Sequence, residues 1–510
     1  MLTNKYIKMG IFDGVTKRNS RAASNTGDLY FGKPEAESED VKGQGLVEYF
    51  DDYLEILSEM QVGKFLFVGR KGTGKSAIAK YIKDKSDQSD NSFACIIRMS
   101  DIVIEKIVQQ DDKEREYALI EWLILLNLTK LIVKSGSAKY TKEFEKLEKF
   151  LERNTGSVDV DQKELIERMT SKKGEVNFDV LRHCFGGIIG KSFQNKEQSA
   201  PYYKMITPLK EILKWLFNTE DIENREYWIL VDDLDVGYKL ENESDNEKLM
   251  DLIRIVRVYN TEVMNENSRI LVFIREDICK QIVNRYNDSA KIIQSNNIPI
   301  NWYLPPAEIG NEDETPLKKL ADRRIRIAFE KTGLSILNNK SPWDCLIEEN
   351  CLYSGSSFKY VLDHTFYRPR DIVTFLDAVR IGRYPIPLSY SNVKRALKKY
   401  IELTINEIKS ELSLYFDVRE KSILFNDVFP YIINHDISLP ELEEYLENRG
   451  ISNDGKDVVG ILLEYALVGF KDSRNRYYFN FREHTIPEGA DINRYSVRLP
   501  KCIFNNYKDL

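Results

Sequence analysis

The chain has 510 residues, with 74 Lys and Arg against 81 Asp and Glu and a formal net charge of −7. Its 42% hydrophobic content and modest 26 Gly and 15 Pro suffice for packed cores in about three domains and exclude a collagenous or linker-dominated protein. The acidic balance also excludes a uniformly basic nucleic-acid coat, although a local basic patch stays open.

Residues 1–45 are polar and rich in Gly, Ser and Lys and read as a flexible N-terminal arm. Within it, Leu29-Tyr30-Phe31-Gly32 followed by Ala36-Glu37 reads as a docking segment. The opening MLTNKYIKMGIFDGVTKRNS has no apolar stretch of signal-peptide length, so a cytoplasmic location is expected. Leu46, Phe50, Leu54 and Leu57 share a helical face, which predicts a helix over Leu46–Met60. Four short apolar runs follow: Lys64–Val68, Phe93–Met99, Tyr227–Val231 and Arg269–Ile274, with a weaker fifth at Ile298–Leu304. Near-continuous runs of this length between helical stretches are how buried parallel strands read. The expected core, over residues 46–310, is α/β with a doubly wound parallel sheet.

Directly after the first run stands Gly69-Arg70-Lys71-Gly72-Thr73-Gly74-Lys75-Ser76, a full GxxxxGK[ST] P-loop, and Ala77 continues into a helix. Its glycines let backbone N–H groups curl around a phosphate, and the helix N-terminus adds partial positive charge. Lys75 is the expected bridge to β- and γ-phosphate oxygens and Ser76 the expected Mg²⁺ ligand. ATP and Mg²⁺ are therefore the expected cofactors.

Residues 101–225 separate the second and third runs and are too long for a loop, so they read as an inserted helical subdomain with helices in Tyr117–Val133, Thr141–Arg153 and Pro208–Phe217. Tyr117–Val133 is nearly a membrane span in length, but Glu121, Asn127 and Lys130 interrupt it and favour a buried helix. No membrane partner is expected. The third run ends in Asp232-Asp233-Leu234-Asp235. Acidic residues at the C-terminal end of a buried strand lie where α/β ligand sites form. Asp232 is placed for Mg²⁺, Asp233 for polarising the attacking water, and Asp235 for supporting either.

The fourth run leads into Arg275-Glu276-Asp277, where Arg275 could sense the γ-phosphate or simply pair with a neighbouring aspartate. Residues 311–412 read as a helical lid with helices at Leu317–Lys331, Trp343–Asn350, Asp371–Arg380 and Ser391–Leu412, punctuated by Pro369, Pro385 and Pro387. Tyr367-Arg368-Pro369-Arg370-Asp371 opens one of them and offers Arg368 or Arg370 to reach the nucleotide from the lid. Lys394, Arg395, Lys398 and Lys399 read as a solvated face.

In residues 413–510, helices at Pro440–Asn448 and Asp457–Leu467 precede a hairpin over Val468–Phe481, the order of a winged-helix-like domain. The second of these helices offers only Lys456 before an apolar run and the first is acidic, while Lys471, Arg474, Arg476 and Arg482 sit on the wing. Protein docking is favoured there over sequence reading, with nucleic acid a possible partner. Cys95, Cys184, Cys279, Cys345, Cys351 and Cys502 form no CxxC pair and read as reduced thiols.

The combination GRKGTGKSA, ILVDDLD, VFIREDI and YRPRDI resembles bacterial P-loop ATPases of the STAND/KAP-like, AAA-type (ASCE) group, often defence-associated. FGKPEAESE and the Ile325–Phe329 helix fit the same layout, so the likeness runs over roughly residues 28–410 less the insertion. The resemblance implies Mg-dependent ATP hydrolysis, nucleotide-controlled self-association into a homo-oligomer, and work beside a separate effector protein in antiphage defence. By motif it implies roles for Lys75, Ser76, Asp232 and Asp233, and less directly for Arg275 and Arg370. Many relatives carry glutamate where Asp233 stands, which implies slow turnover here. Neither an NKxD guanine-reading motif nor an LSGGQ signature is present, and HExxH, GxSxG and CxxC are absent too. Two alternatives stay open: a nucleic-acid-stimulated ATPase of DNA repair or remodelling, and a nucleotide-binding scaffold with little turnover. Arg323 and Arg324 are candidates by charge for action across subunits.

Overall fold

The computed structural model describes residues 25–35, 46–98, 113–156, 175–189, 199–235, 243–305, 308–348, 355–451, 457–482 and 491–508. Five strands, β1 (Leu66–Gly69), β2 (Ser92–Arg98), β5 (Glu226–Asp232), β6 (Arg269–Arg275) and β7 (Asn297–Pro299), form one sheet in the order β2-β5-β6-β1-β7. Every neighbouring pair is parallel. All of β1 is buried, as is β6 beyond its first residue, with no alternation between faces. Such a run is stable only when both faces of the sheet are covered. The core is an α/β P-loop NTPase fold, and β6 stands between the P-loop strand and the strand that carries the aspartates.

Two strands continue past their apolar runs into the residues of interest: β5 takes in Asp232 and β6 takes in Arg275. The fifth strand is shorter than expected. It stops at Pro299, because the Asn301 carboxamide oxygen accepts the Tyr303 N–H at 3.0 Å and turns the chain out of the sheet. The Leu46–Met60 helix is also broken, into a turn of helix at Leu46–Tyr49 and a 3-10 segment at Ile56–Met60. The Asp52 carboxylate accepts the amides of Ile56 (3.1 Å) and Leu57 (2.8 Å), an alternative to the helical ladder that ends it.

The insertion shares a continuous hydrophobic core with the sheet. Its helix Lys113–Ser135 is buried from Ala118 to Ile132. Two of its polar residues find partners inside the protein: Glu121 accepts from the Lys210 ammonium and the Tyr259 hydroxyl, both at 2.9 Å, and Asn127 donates to Leu123 O at 2.7 Å. No described helix is long and apolar enough to cross a membrane. The helix predicted from Pro208 starts earlier, spanning Tyr202–Phe217. Proline costs it one backbone bond. Met205 and Ile206 nonetheless continue the buried face of Leu209, Ile212 and Leu213 through the proline. Helices Thr141–Thr155, Asp179–Ile189 and Glu220–Glu223, with a small hairpin of β3 (Glu175–Asn177) and β4 (Ser199–Pro201), complete the described part of the insertion.

Beyond the sheet, helices at Pro316–Thr332, Pro342–Leu346, Ser357–Leu362, Pro369–Gly382 and Tyr390–Glu411 build a second core. The six-residue Ser357–Leu362 helix was not expected; it is too short for a periodic pattern and begins at the Ser356 cap. Leu29 and Phe31 of the N-terminal arm are buried in this core, while Ala36-Glu37 lies outside the described residues. In the tail, helical segments run from Val418 to Asn434 and are followed by helices Leu439–Asn448 and Val458–Glu464. After them come β8 (Gly469–Lys471), β9 (Tyr477–Tyr478) and β10 (Ser496–Arg498), antiparallel in the order β10-β8-β9. Cys95, Cys184, Cys279, Cys345 and Cys502 are free thiols, and Cys351 and Lys456 fall outside the described residues.

Candidate nucleotide site

The strand register brings the motif ends together. Gly69 lies opposite Arg275 and Asp232 opposite Arg98, so the P-loop, the aspartates and Arg275 emerge along one carboxyl edge of the sheet. The loop turns at Gly72 (φ +82°) and Gly74 (φ +98°), a left-handed backbone in which a side chain is strained. At Gly72 space is also short: a Cβ there would stand 3.3 Å from Arg368 Cδ and 3.4 Å from Arg370 Cβ. The first intrahelical bond of Lys75–Asp87 is Ile78 N to Gly74 O at 2.9 Å, so the amides of Lys75, Ser76 and Ala77 precede the ladder.

Lys75 Nζ donates to Gly69 O (3.0 Å) and Arg70 O (3.1 Å) across the loop. Burial pushes its ammonium down to about 8, against the opposing pull of Asp235. Asp232 is 4% exposed and lines the same cleft as Ser76. Burial raises its carboxyl above the ordinary range, and Ser76, the Asp233 amide and Lys75 hold it back. A hydroxyl and a carboxylate side by side are a hard oxygen donor set of the kind Mg²⁺ uses together with phosphate oxygens. Asp233 takes a left-handed backbone (φ +56°) tolerated by aspartate, ends the strand and lies 3.6 Å from Arg98 Nε. Arg98 is a site neighbour that the sequence did not single out; only the pairing of β2 with β5 brings it there.

Lys75, Ser76, Asp232, Asp233 and Asp235 line one cleft of ≈ 180 Å³, closed by Lys33 and Pro34 of the arm, Arg324, and Pro369, Arg370 and Val373 of the lid. Arg275 lines it too, yet its guanidinium is engaged by Asp235 (3.2 Å), by Asp277 and by the Tyr465 hydroxyl (2.9 Å). It therefore ties the core to the tail. Arg370 lines the cleft while pairing with Glu407. Arg324 is 7% exposed, donates to Phe31 O at 2.8 Å and lines this cleft. Arg323 lies outside the cleft and holds Glu48 O and Asp51.

The lid also grips the P-loop from behind. Arg368 Nη1 donates to Lys71 O (3.2 Å), the Arg370 amide to Gly72 O (3.4 Å) and Arg70 Nη1 to Phe366 O (3.4 Å). Lys71 pairs with Glu411 at 3.0 Å, and the Trp302 indole N–H donates to Thr73 O at 2.9 Å. Arg368 itself is held by Asp371, which also accepts the amides of Phe366 and Arg368.

Three kinds of likeness accompany this geometry. Residues 315–409 match the family model described as the FunZ-associated C-terminal helical domain, a stretch that begins at the cap of helix Pro316–Thr332 and ends inside Tyr390–Glu411. A putative transposon gamma-delta 80.3 kDa protein of Escherichia coli K12 is 24% identical over 228 residues, 43% of this chain and 29% of that protein. Among solved structures, the Aeropyrum pernix ORC2 protein in its ADPNP–ADP complexes aligns over 94% of this chain and 96% of its own at 13% identity and a TM-score of 0.37. Its ADP form aligns over 85% and 88%, at 12% identity and a TM-score of 0.29.

Proposed function

We propose that this chain is an Mg-dependent ATPase that works as a nucleotide-controlled switch, self-associates, and acts with a separate effector in bacterial defence. The observation that carries the reading is the single cleft that gathers Ser76, Asp232 and Asp233 beside a P-loop whose Lys75 donates across its own turn. The triphosphate sits against the amides of the loop and the first helical turn, and Lys75 exchanges its two carbonyl acceptors for β- and γ-phosphate oxygens. Ser76 and Asp232 would hold Mg²⁺, which neutralises phosphate charge when bound. Asp233 orients the water for attack, with Arg98 paired to it at 3.6 Å. Because the lid already touches Lys71 and Gly72, a change in the loop's contents is passed to the lid through Arg368 and Arg370. The FunZ-associated match and the transposon-encoded relative support a mobile-element or defence setting.

The test is molecular mass by light scattering. With ATP and Mg²⁺, Asp233→Asn is expected to accumulate the assembled form, and wild type to assemble and then relax as ATP is consumed. Monomeric mass for both chains with ATP contradicts the switch.

A further inference from the structure

A second cavity, of ≈ 580 Å³, lies apart from the nucleotide cleft where the sheet's edge, the lid and the tail meet. That volume is within the range of small-molecule sites, roughly 300–1,000 Å³. Its lining is mostly apolar and unusually aromatic. Tyr477, Phe479 and Phe481 alternate along one face of the chain leaving the tail hairpin, and their rings stack nearly parallel, with 7° between the first pair and 6° between the second. Tyr367 of the lid stacks on Phe481 at 5.7 Å, and Trp302 supplies another wall. Two lining residues, Tyr477 (40% exposed) and Ile309 (41%), leave apolar surface open to solvent. Rings held in parallel register with a free edge are a platform for one more flat ring.

The cavity also has a cation that no carboxylate among the described residues neutralises. Arg482 lines it, with its guanidinium 5.8, 5.7 and 5.6 Å from the ring centres of Tyr367, Phe479 and Phe481. Its Nε is buried without a hydrogen-bond acceptor, and among the described residues no carboxylate pairs with it. The other cations of the lining are spoken for: Lys359 and Lys501 by Asp363 at 3.3 and 3.2 Å, and Arg498 by Asp436. A buried donor without an acceptor costs free energy that a bound anion would recover.

We propose that this cavity binds a small planar aromatic molecule bearing an anionic group, its ring against the Phe479–Phe481 ladder and its anion on Arg482. Two sources share that chemistry, a nucleoside monophosphate and an aromatic carboxylate. The site is independent of the P-loop, although Trp302 touches both, giving one wall here and its N–H to Thr73.

The experiment is calorimetric titration of the full-length Lys75→Ala chain with AMP and, separately, with indole-3-acetate. Saturable binding of either probe is expected. Arg482→Gln in that background should weaken it by about tenfold or more, and Tyr477→Ala by about threefold. Adenosine, which lacks the anion, and inorganic phosphate, which lacks the ring, should each bind at least about tenfold more weakly than a binding AMP. Binding of AMP alone or of indole-3-acetate alone identifies the source. No binding of either probe, or binding indifferent to both substitutions, overturns the proposal, as does capture of a single-stranded oligonucleotide without either small molecule. Failure of the ATPase reading is seen separately, as wild type that takes no ATP.

Discussion

At the scale of single residues the account rests on Lys75. Burial holds its ammonium near pH 8, so a nearby phosphate must raise that value by favouring the charged form. The sign follows from proton counting. Below about pH 8 the free chain already carries the proton and ATP affinity is flat; above it, binding must take up a proton and affinity falls by up to about tenfold per pH unit. Calorimetry between about pH 7 and about pH 9.5 checks this, and a level profile across that span counts against Lys75 as the phosphate ligand. The P-loop was legible because its chemistry is contiguous: strand, two left-handed glycines, Lys75 and Ser76 follow one another. Arg98, Trp302 and Glu411 were not, because each reaches the site from another element and no local pattern says which carbonyl or carboxylate it will meet.

Between elements, the lid's hold on the loop separates two arginines that look alike in YRPRD. Arg368 and Asp371 form a pair with side chains 9% and 2% exposed, whereas Arg370 and Glu407 are 26% and 32% exposed. Removing Arg368 leaves the buried Asp371 carboxylate without its guanidinium partner, and Arg368→Ala is expected to destabilise the fold by about 3–5 kcal/mol. Arg370→Ala should cost about 1 kcal/mol or less. Urea unfolding of the two variants measures the difference, and equal losses contradict it. Elements were legible where a pattern was long, as in β5, β6 and the Lys113–Ser135 helix. They were misread where one side chain overrode the pattern: Asp52 ended a helix that the leucines continued, and Asn301 cut β7 short.

At the scale of the whole molecule, Arg275 is fixed on the core side by Asp235 and by the neighbouring Asp277, as the sequence allowed, and reaches the tail through the Tyr465 hydroxyl, a link VFIREDI does not show. Arg275→Ala should free the tail from the core, and trypsin is expected to cut residues after 412 roughly tenfold faster as local opening becomes easier. An unchanged cleavage rate would place the hold elsewhere. The doubly wound core was legible from the apolar runs alone, and three of the insertion's helices from their composition, whereas helix Asp179–Ile189 was not. That the insertion shares the sheet's core was not, since it depends on pairings between residues far apart in sequence.

The most direct test of the whole is calorimetric titration of ATP into wild type and Lys75→Ala, each with and without Mg²⁺. Saturable binding by wild type that Mg²⁺ tightens, with binding weakened by at least about a hundredfold in Lys75→Ala, is the predicted result, equivalent to losing charge-assisted bonds of about 3 kcal/mol. Wild type that takes up no ATP, or two chains that bind it alike, would contradict it.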